Sequence, residues 1–167
     1  VALCVMPFGA AVFLLAQETN KSIEFTEKER IGVRYHHALF NTLSVTQIYR
    51  GRWTVAASLG RDNPELLALK ATVKHHISLV DALHAEAQQL GLSRQWEETK
   101  KLLMEAVEEP LPPPSAVLPE WNPRAITSLM SLMEDVGNVS NLILDPEMET
   151  YYMMNVIVNI VPDISEY

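Results

Sequence analysis

Apolar residues recur along this chain at spacings of three and four, the period of a helix with one face turned inward. Residues 19–59 read as one long helix with no proline inside it. At 1.5 Å per residue such a helix rises roughly 60 Å, and it needs partners along its length. The turn "GRDNPE" follows at 60–65, with Asn63 placed to cap and Pro64 at a first helical position. A second helix is predicted over 64–90. Its inner stripe is Leu66, Leu69, Val73, His76 or Ile77, Val80, and Leu83 or His84, and Gly91 stops it. Ser93 is expected to cap a third helix, "SRQWEETKKLLMEAV". Glu97 and Glu98 come early in it and Lys100 and Lys101 later, as the helix dipole favours.

Residues 108–123 hold six of the ten prolines and read as an extended connection, with Val117, Leu118 and Trp121 packing on the bundle. Asn122-Pro123 starts a fourth helix. Its stripe is Ile126, Leu129, Met130, Met133, Val136, Val139 or Ser140, and Ile143. Asp145-Pro146 repeats the cap-plus-proline device, and a last helix runs from there to the end, with Pro162 near its close. The expected class is all-α: an antiparallel helical bundle of four-helix type, with a long first helix and a broken last one.

The first sixteen residues, "VALCVMPFGAAVFLLA", carry no charge. In helix they rise about 24 Å, slightly short of the ~30 Å hydrocarbon core of a bilayer. They read as the end of a transmembrane helix, against a competing reading as a signal-peptide core or a buried helix. The expected organisation is therefore an apolar segment, 1–17, and a helical-bundle domain, 18–167.

Composition narrows the function. The chain has 167 residues, 48% of them hydrophobic, which suits one domain with a real core. Its net charge of −8 is uneven: residues 110–167 set Arg124 alone against eight acidic side chains. A nucleic-acid partner needs a basic face, so none is expected. Cys4 is the single cysteine, which excludes an internal disulfide and a thiolate-rich metal centre.

Five histidines in a bundle raise the question of a metal. Bundle di-iron sites use Glu-x-x-His, which is missing here; the nearest approach is Asp81-x-x-His84. His36-His37 and His75-His76 are adjacent, about 100° apart on a helix, so one member of each pair at most faces inward. No metal and no cofactor are expected. No nucleophile elbow, phosphate loop or dinucleotide fingerprint occurs, so no catalytic residue is assigned. The adjacent carboxylates Glu97-Glu98, Glu108-Glu109 and Glu134-Asp135 read as solvated faces. Arg50, in "QIYRGRW", reads either as an ion pair with the acidic last third or as an anchor for a ligand's anion. Gly51 beside it costs about 1 kcal/mol inside a helix relative to Ala, which suggests close approach by another helix or a ligand.

Three motifs stand in order: Glu29-x-x-Gly32-x-x-Tyr35, Gln47-x-x-Arg50-Gly51, and "SNLILDPEMETYYMMN" from Ser140. Together they resemble the all-helical periplasmic sensor domain found between two transmembrane helices of bacterial histidine kinases, methyl-accepting chemotaxis proteins and diguanylate cyclases. Tyr49 stands where that pattern often has His, and Asn155 where it often has Asp. The resemblance spans roughly 18–167 and implies a non-catalytic, ligand-sensing domain at the bacterial inner membrane, facing the periplasm. It implies a homodimer, a small-molecule ligand, membrane attachment through the flanking helices, and an output domain such as a kinase or cyclase. The candidate ligand residues are Tyr35, Arg50, Asp145, Tyr151 and Tyr152, with Glu29 as a buried polar partner. A soluble metal-binding bundle enzyme and a non-sensing membrane-tethered dimerisation module are the alternatives.

Overall fold

A computed structural model describes residues 2–60, 64–111 and 123–142. They form helices α1 (Ala2–Leu59), α2 (Pro64–Glu86), α3 (Ser93–Glu108) and α4 (Pro123–Val139), with a 3-10 turn at Gln88–Leu90. The protein is all-α, and no strand occurs among the described residues. The expected last helix, with Asp145-Pro146 and Pro162, lies outside them, as does most of the proline-rich connection.

Side-chain contacts fix the direction of each helix. Arg52 pairs with Glu65 at 3.3 Å, and Arg34 with Glu86 at 2.8 Å, so α2 runs back along α1. The Tyr49 hydroxyl donates to the Val107 carbonyl at 3.1 Å, and Trp53 Nε1 to the Glu109 carbonyl at 3.4 Å. The end of α3 therefore lies beside the upper half of α1, and α3 runs parallel to it. Thr99 meets Ser128 across α3 and α4 at 2.8 Å, while Ser140 closes on Gly32. The result is an up-down-up-down four-helix bundle.

The long first helix is longer than its sequence pattern implied. It continues through the apolar start without a break, 58 residues rising about 87 Å. Bundle packing begins only near Ile31. Val12, Phe13, Leu14 and Leu15 are each at least half exposed, so the lower part of α1 projects beyond the bundle. No helix among the described residues is long and apolar enough to cross a membrane.

The core forms as the periodicity requires. Tyr35, Leu39, Leu43 and Trp53 from α1 meet Val73, Ile77 and Val80 from α2, Trp96 and Leu103 from α3, and Ile126, Leu129 and Met133 from α4. Of the alternatives in α2, Ile77 and His84 are the buried members, and His76 and Leu83 lie only partly inside. In α4 it is Ser140 that is fully buried, and Val139 is half-exposed.

Two helix ends differ from expectation. The second helix stops at Glu86, and a 3-10 turn completes it before Gly91, which takes a left-handed φ of 71°. Ser93 does not cap α3: the cap position is Leu92, with no side-chain bond. The Ser93 hydroxyl is taken instead by His84, and that bond ties two helices where a cap would serve only one.

The glycines of α1 separate sharply. A Cβ on Gly32 would overlap the Cβ and Oγ of Ser140, so the α1–α4 seam closes only because no side chain stands there. Gly51 is the reverse of its expectation. Nothing among the described residues lies within 4 Å of its Cβ position. Gly32→Ala is expected to lower stability by about 2 kcal/mol through overpacking, with recovery in the Gly32→Ala, Ser140→Gly double variant. Gly51→Ala should raise stability by about 1 kcal/mol. Urea unfolding of the four proteins measures both.

Candidate functional site

The described sequence-derived candidates Tyr35 and Arg50 stand at two levels of α1. Tyr35 is 1% exposed, and its hydroxyl lies 2.9 Å from His84 Nδ1. The other ring nitrogen, Nε2, is 3.1 Å from the Ser93 hydroxyl. A neutral imidazole donates at one nitrogen and accepts at the other, and both hydroxyls can complement either tautomer. Tyr35, His84 and Ser93 thus link α1, α2 and α3 through one relay. Burial raises the Tyr35 phenol far above its ordinary range, with nearby Asp81 and Glu97 adding to the effect. Burial lowers the His84 pKa, opposed by Glu97 and Asp81 and helped by Lys100. The Tyr35 hydroxyl is therefore engaged inside the core.

Arg50 is half-buried and stands fifteen residues further along α1, about 22 Å away at helical rise. The two side chains therefore belong to different levels of the bundle. Glu29 is half-buried one and a half turns below Tyr35, and both Glu29 and Arg50 take part in polar interactions. Asp145, Tyr151 and Tyr152 lie outside the described residues.

Two groups that sequence reasoning passed over stand out instead. His36 Nε2 and both amide atoms of Gln47 are buried without a hydrogen-bond partner. Eleven residues separate His36 and Gln47, three helical turns plus about 20°. They share a stripe of α1 with Glu29, Gly32 and Arg50, about a third of the way round the helix from the one that carries Tyr49 and Trp53. A buried, unpaired polar group costs about 1–3 kcal/mol, so such groups call for a reason. Gln47 belongs to the Gln-x-x-Arg-Gly motif, and its position on the seam side of α1 was the available signal.

Other polar groups of the interior are paired. Trp96 Nε1 donates to Asp81 Oδ1 at 2.8 Å, and Lys100 reaches Asp81 Oδ2 at 2.6 Å. Asp81-x-x-His84 is thus divided between two partner sets and does not form a metal-ligand pair. Among the described residues no three His, Cys, Asp or Glu side chains converge. The histidine pairs behave as helical geometry demands: His36 is buried beside an exposed His37. Glu108 accepts from Lys70 at 2.6 Å and also pairs with Lys74, and these bonds hold its carboxyl down at about 2.

A groove of about 430 Å³ lies between α3 and α4, with Thr99 and Ser128 on its floor. It shares no residue with the α1 stripe. Compared with family models, curated proteins and solved structures, the chain matches none.

His36 supplies a pH test. Burial, reinforced by His37, lowers its pKa from 6.5 to about 4. The fold thus favours the neutral ring, and below pH 6.5 the unfolded chain takes the proton first. Its contribution is complete above pH 6.5 and is lost as the pH falls toward 4, by up to about 3 kcal/mol. His84 and His76, also lowered, act in the same direction. Stability measured from pH 7 to 4 should fall, and His36→Leu should flatten most of that slope.

Proposed function

We propose that this chain is the extracytoplasmic ligand-sensing domain of a bacterial transmembrane receptor. The observation that carries the reading is the meeting of Gly32 with Ser140. Gly32 is the centre of the Glu-x-x-Gly-x-x-Tyr motif, and Ser140 opens the third motif. Residues more than a hundred positions apart, both part of the sensor-like pattern, are thus in contact. A contact that tight is a geometric reason for their joint presence.

Two further features support it. The apolar start and the bundle share one unbroken helix, α1, so a shift at Gly32 moves a rigid rod. The buried, unpaired Gln47 amide lies about one turn from Arg50 on α1, where a ligand's polar groups would be complemented. On this reading a ligand binds one of two packings better and shifts their populations. The change leaves as a piston, tilt or rotation of α1 and the C-terminal segment, toward an output domain. The domain performs no catalysis, faces the periplasm from the inner membrane, and works as a homodimer.

In bacteria producing the whole protein, alkaline phosphatase inserted after Tyr167 should be active, and β-galactosidase at the same point inactive. The opposite pattern would sink the proposal. Ligand sensing is tested separately by thermal melting against a metabolite collection, where a true ligand at a hundred times its Kd adds about 2.7 kcal/mol.

A further inference from the structure

Ser93 opens α3 at the surface, and its hydroxyl lies 3.1 Å from His84 Nε2. The other nitrogen of that ring, Nδ1, is 2.9 Å from the hydroxyl of the buried Tyr35. Three side chains from three helices thus stand in the order nucleophile, base and orienting group, and of the three only the nucleophile is exposed. When Nδ1–H donates to the Tyr35 oxygen, Nε2 turns its lone pair toward Ser93 and can take the hydroxyl proton. Burial, the largest influence on His84, favours the neutral ring, the form a base must have. Glu97 and Asp81 favour the imidazolium that forms once the proton moves, and Lys100 opposes them. Asp81 is itself held by Trp96 Nε1 and Lys100. The first backbone bond of α3 runs from the Trp96 N–H to the Leu92 carbonyl, so the N–H groups of Ser93, Arg94 and Gln95 precede the helical ladder. Amides so placed suit the negative charge that develops on a carbonyl oxygen under attack by Ser93. Two other exposed serines lack all of this: Ser58 donates to the Val55 carbonyl and Ser78 to the His75 carbonyl.

We propose that Ser93 is a covalent acylation site, its hydroxyl accepting an acyl group from an activated ester or thioester, with His84 as base and Tyr35 as positioning residue. Ser93 Oγ forms a bond to the acyl carbon, and the bond from that carbon to the leaving oxygen or sulfur breaks. The hydroxyl proton passes to His84 Nε2 and from there to the leaving group, so the donor departs as an alcohol or thiol and the serine remains as its ester. An acylated Ser93 has no proton to give to His84, so the modification loosens the tie between α2 and α3. If the sensor reading holds, a reactive acyl compound is a candidate for the sensed signal. The acylation itself does not rest on that reading, because it needs no membrane and no output domain.

Brief treatment of the purified 167-residue chain with p-nitrophenyl acetate, followed by peptide mass spectrometry, tests it. Ser93 should be acetylated about a hundredfold faster than Ser58 and Ser78, the lower end of what general-base assistance supplies. Equal rates at Ser93 and Ser78 in the parent protein would overturn the proposal, a comparison that requires no variant to fold. An acetyl group found on His84 in place of Ser93 would do the same. His84→Gln should abolish the preference for Ser93, and Ser93→Ala should abolish the fast release of p-nitrophenolate; an undiminished release would mean that another group is the nucleophile and would end the assignment. Tyr35→Phe should lower the ratio of Ser93 to Ser78 acetylation by about tenfold, with Ser78 itself unchanged. An unchanged ratio would remove Tyr35 from its positioning role. Failure of the topology test leaves these rates unaffected, and failure of the acetylation leaves the topology result standing.

Discussion

A helix in water gains little from its own backbone hydrogen bonds, because each replaces a bond to solvent. One of 58 residues gains packing energy only where other helices cover it. In this protein that cover reaches α1 from about Ile31 upward, on two sides. Antiparallel α2 lies along one side, pinned by ion pairs at Arg34 and Arg52. On another side α4 closes in at Gly32, where a missing side chain lets Ser140 approach the backbone. With α1 clasped on both sides, α3 completes the square, and the core residues of all four helices meet.

Polar groups set the register of that packing. Apolar contacts are nearly indifferent to sliding by a fraction of a turn, whereas a buried hydrogen bond is lost by it. The Tyr35–His84–Ser93 relay joins three helices at the lower end. Tyr49 and Trp53 do equivalent work at the upper end, by donating to the Val107 and Glu109 carbonyls. Those carbonyls lie at the close of α3, where a helix has no donors of its own. Side chains of α1 thus terminate α3 and align it at once. Asp81 serves the middle by holding both Trp96 and Lys100. Against this economy, the unpaired His36 and Gln47 are conspicuous, and both lie on the seam side of α1.

Much of the fold was legible because helices announce themselves by period. The stripes of α2 and α4, the left-handed turn at Gly91 and the start at Pro123 follow from spacing, glycine and proline chemistry. The candidate site was far less legible. Tyr35 and Arg50 were grouped because both are chemically suited to a ligand, yet a rigid helix fixes them about 22 Å apart. Ser93 was read as a cap from its position, but a histidine nine residues earlier competes for its hydroxyl. Gly51 and Gly32 cost their helix alike, and neighbour geometry alone tells them apart.

What the amino-acid sequence determines here is local: where most helices begin and end, which stripe of each is apolar, and how charge is spread along the chain. These depend on period, propensity and charge, which are properties of adjacent residues. The tertiary structure decided the rest. It made Gly32 a contact and Gly51 a surface position, turned the Tyr35 hydroxyl inward to His84, and set Thr99 against Ser128. Each of these depends on the distance between separate helices, and no residue encodes that distance by itself.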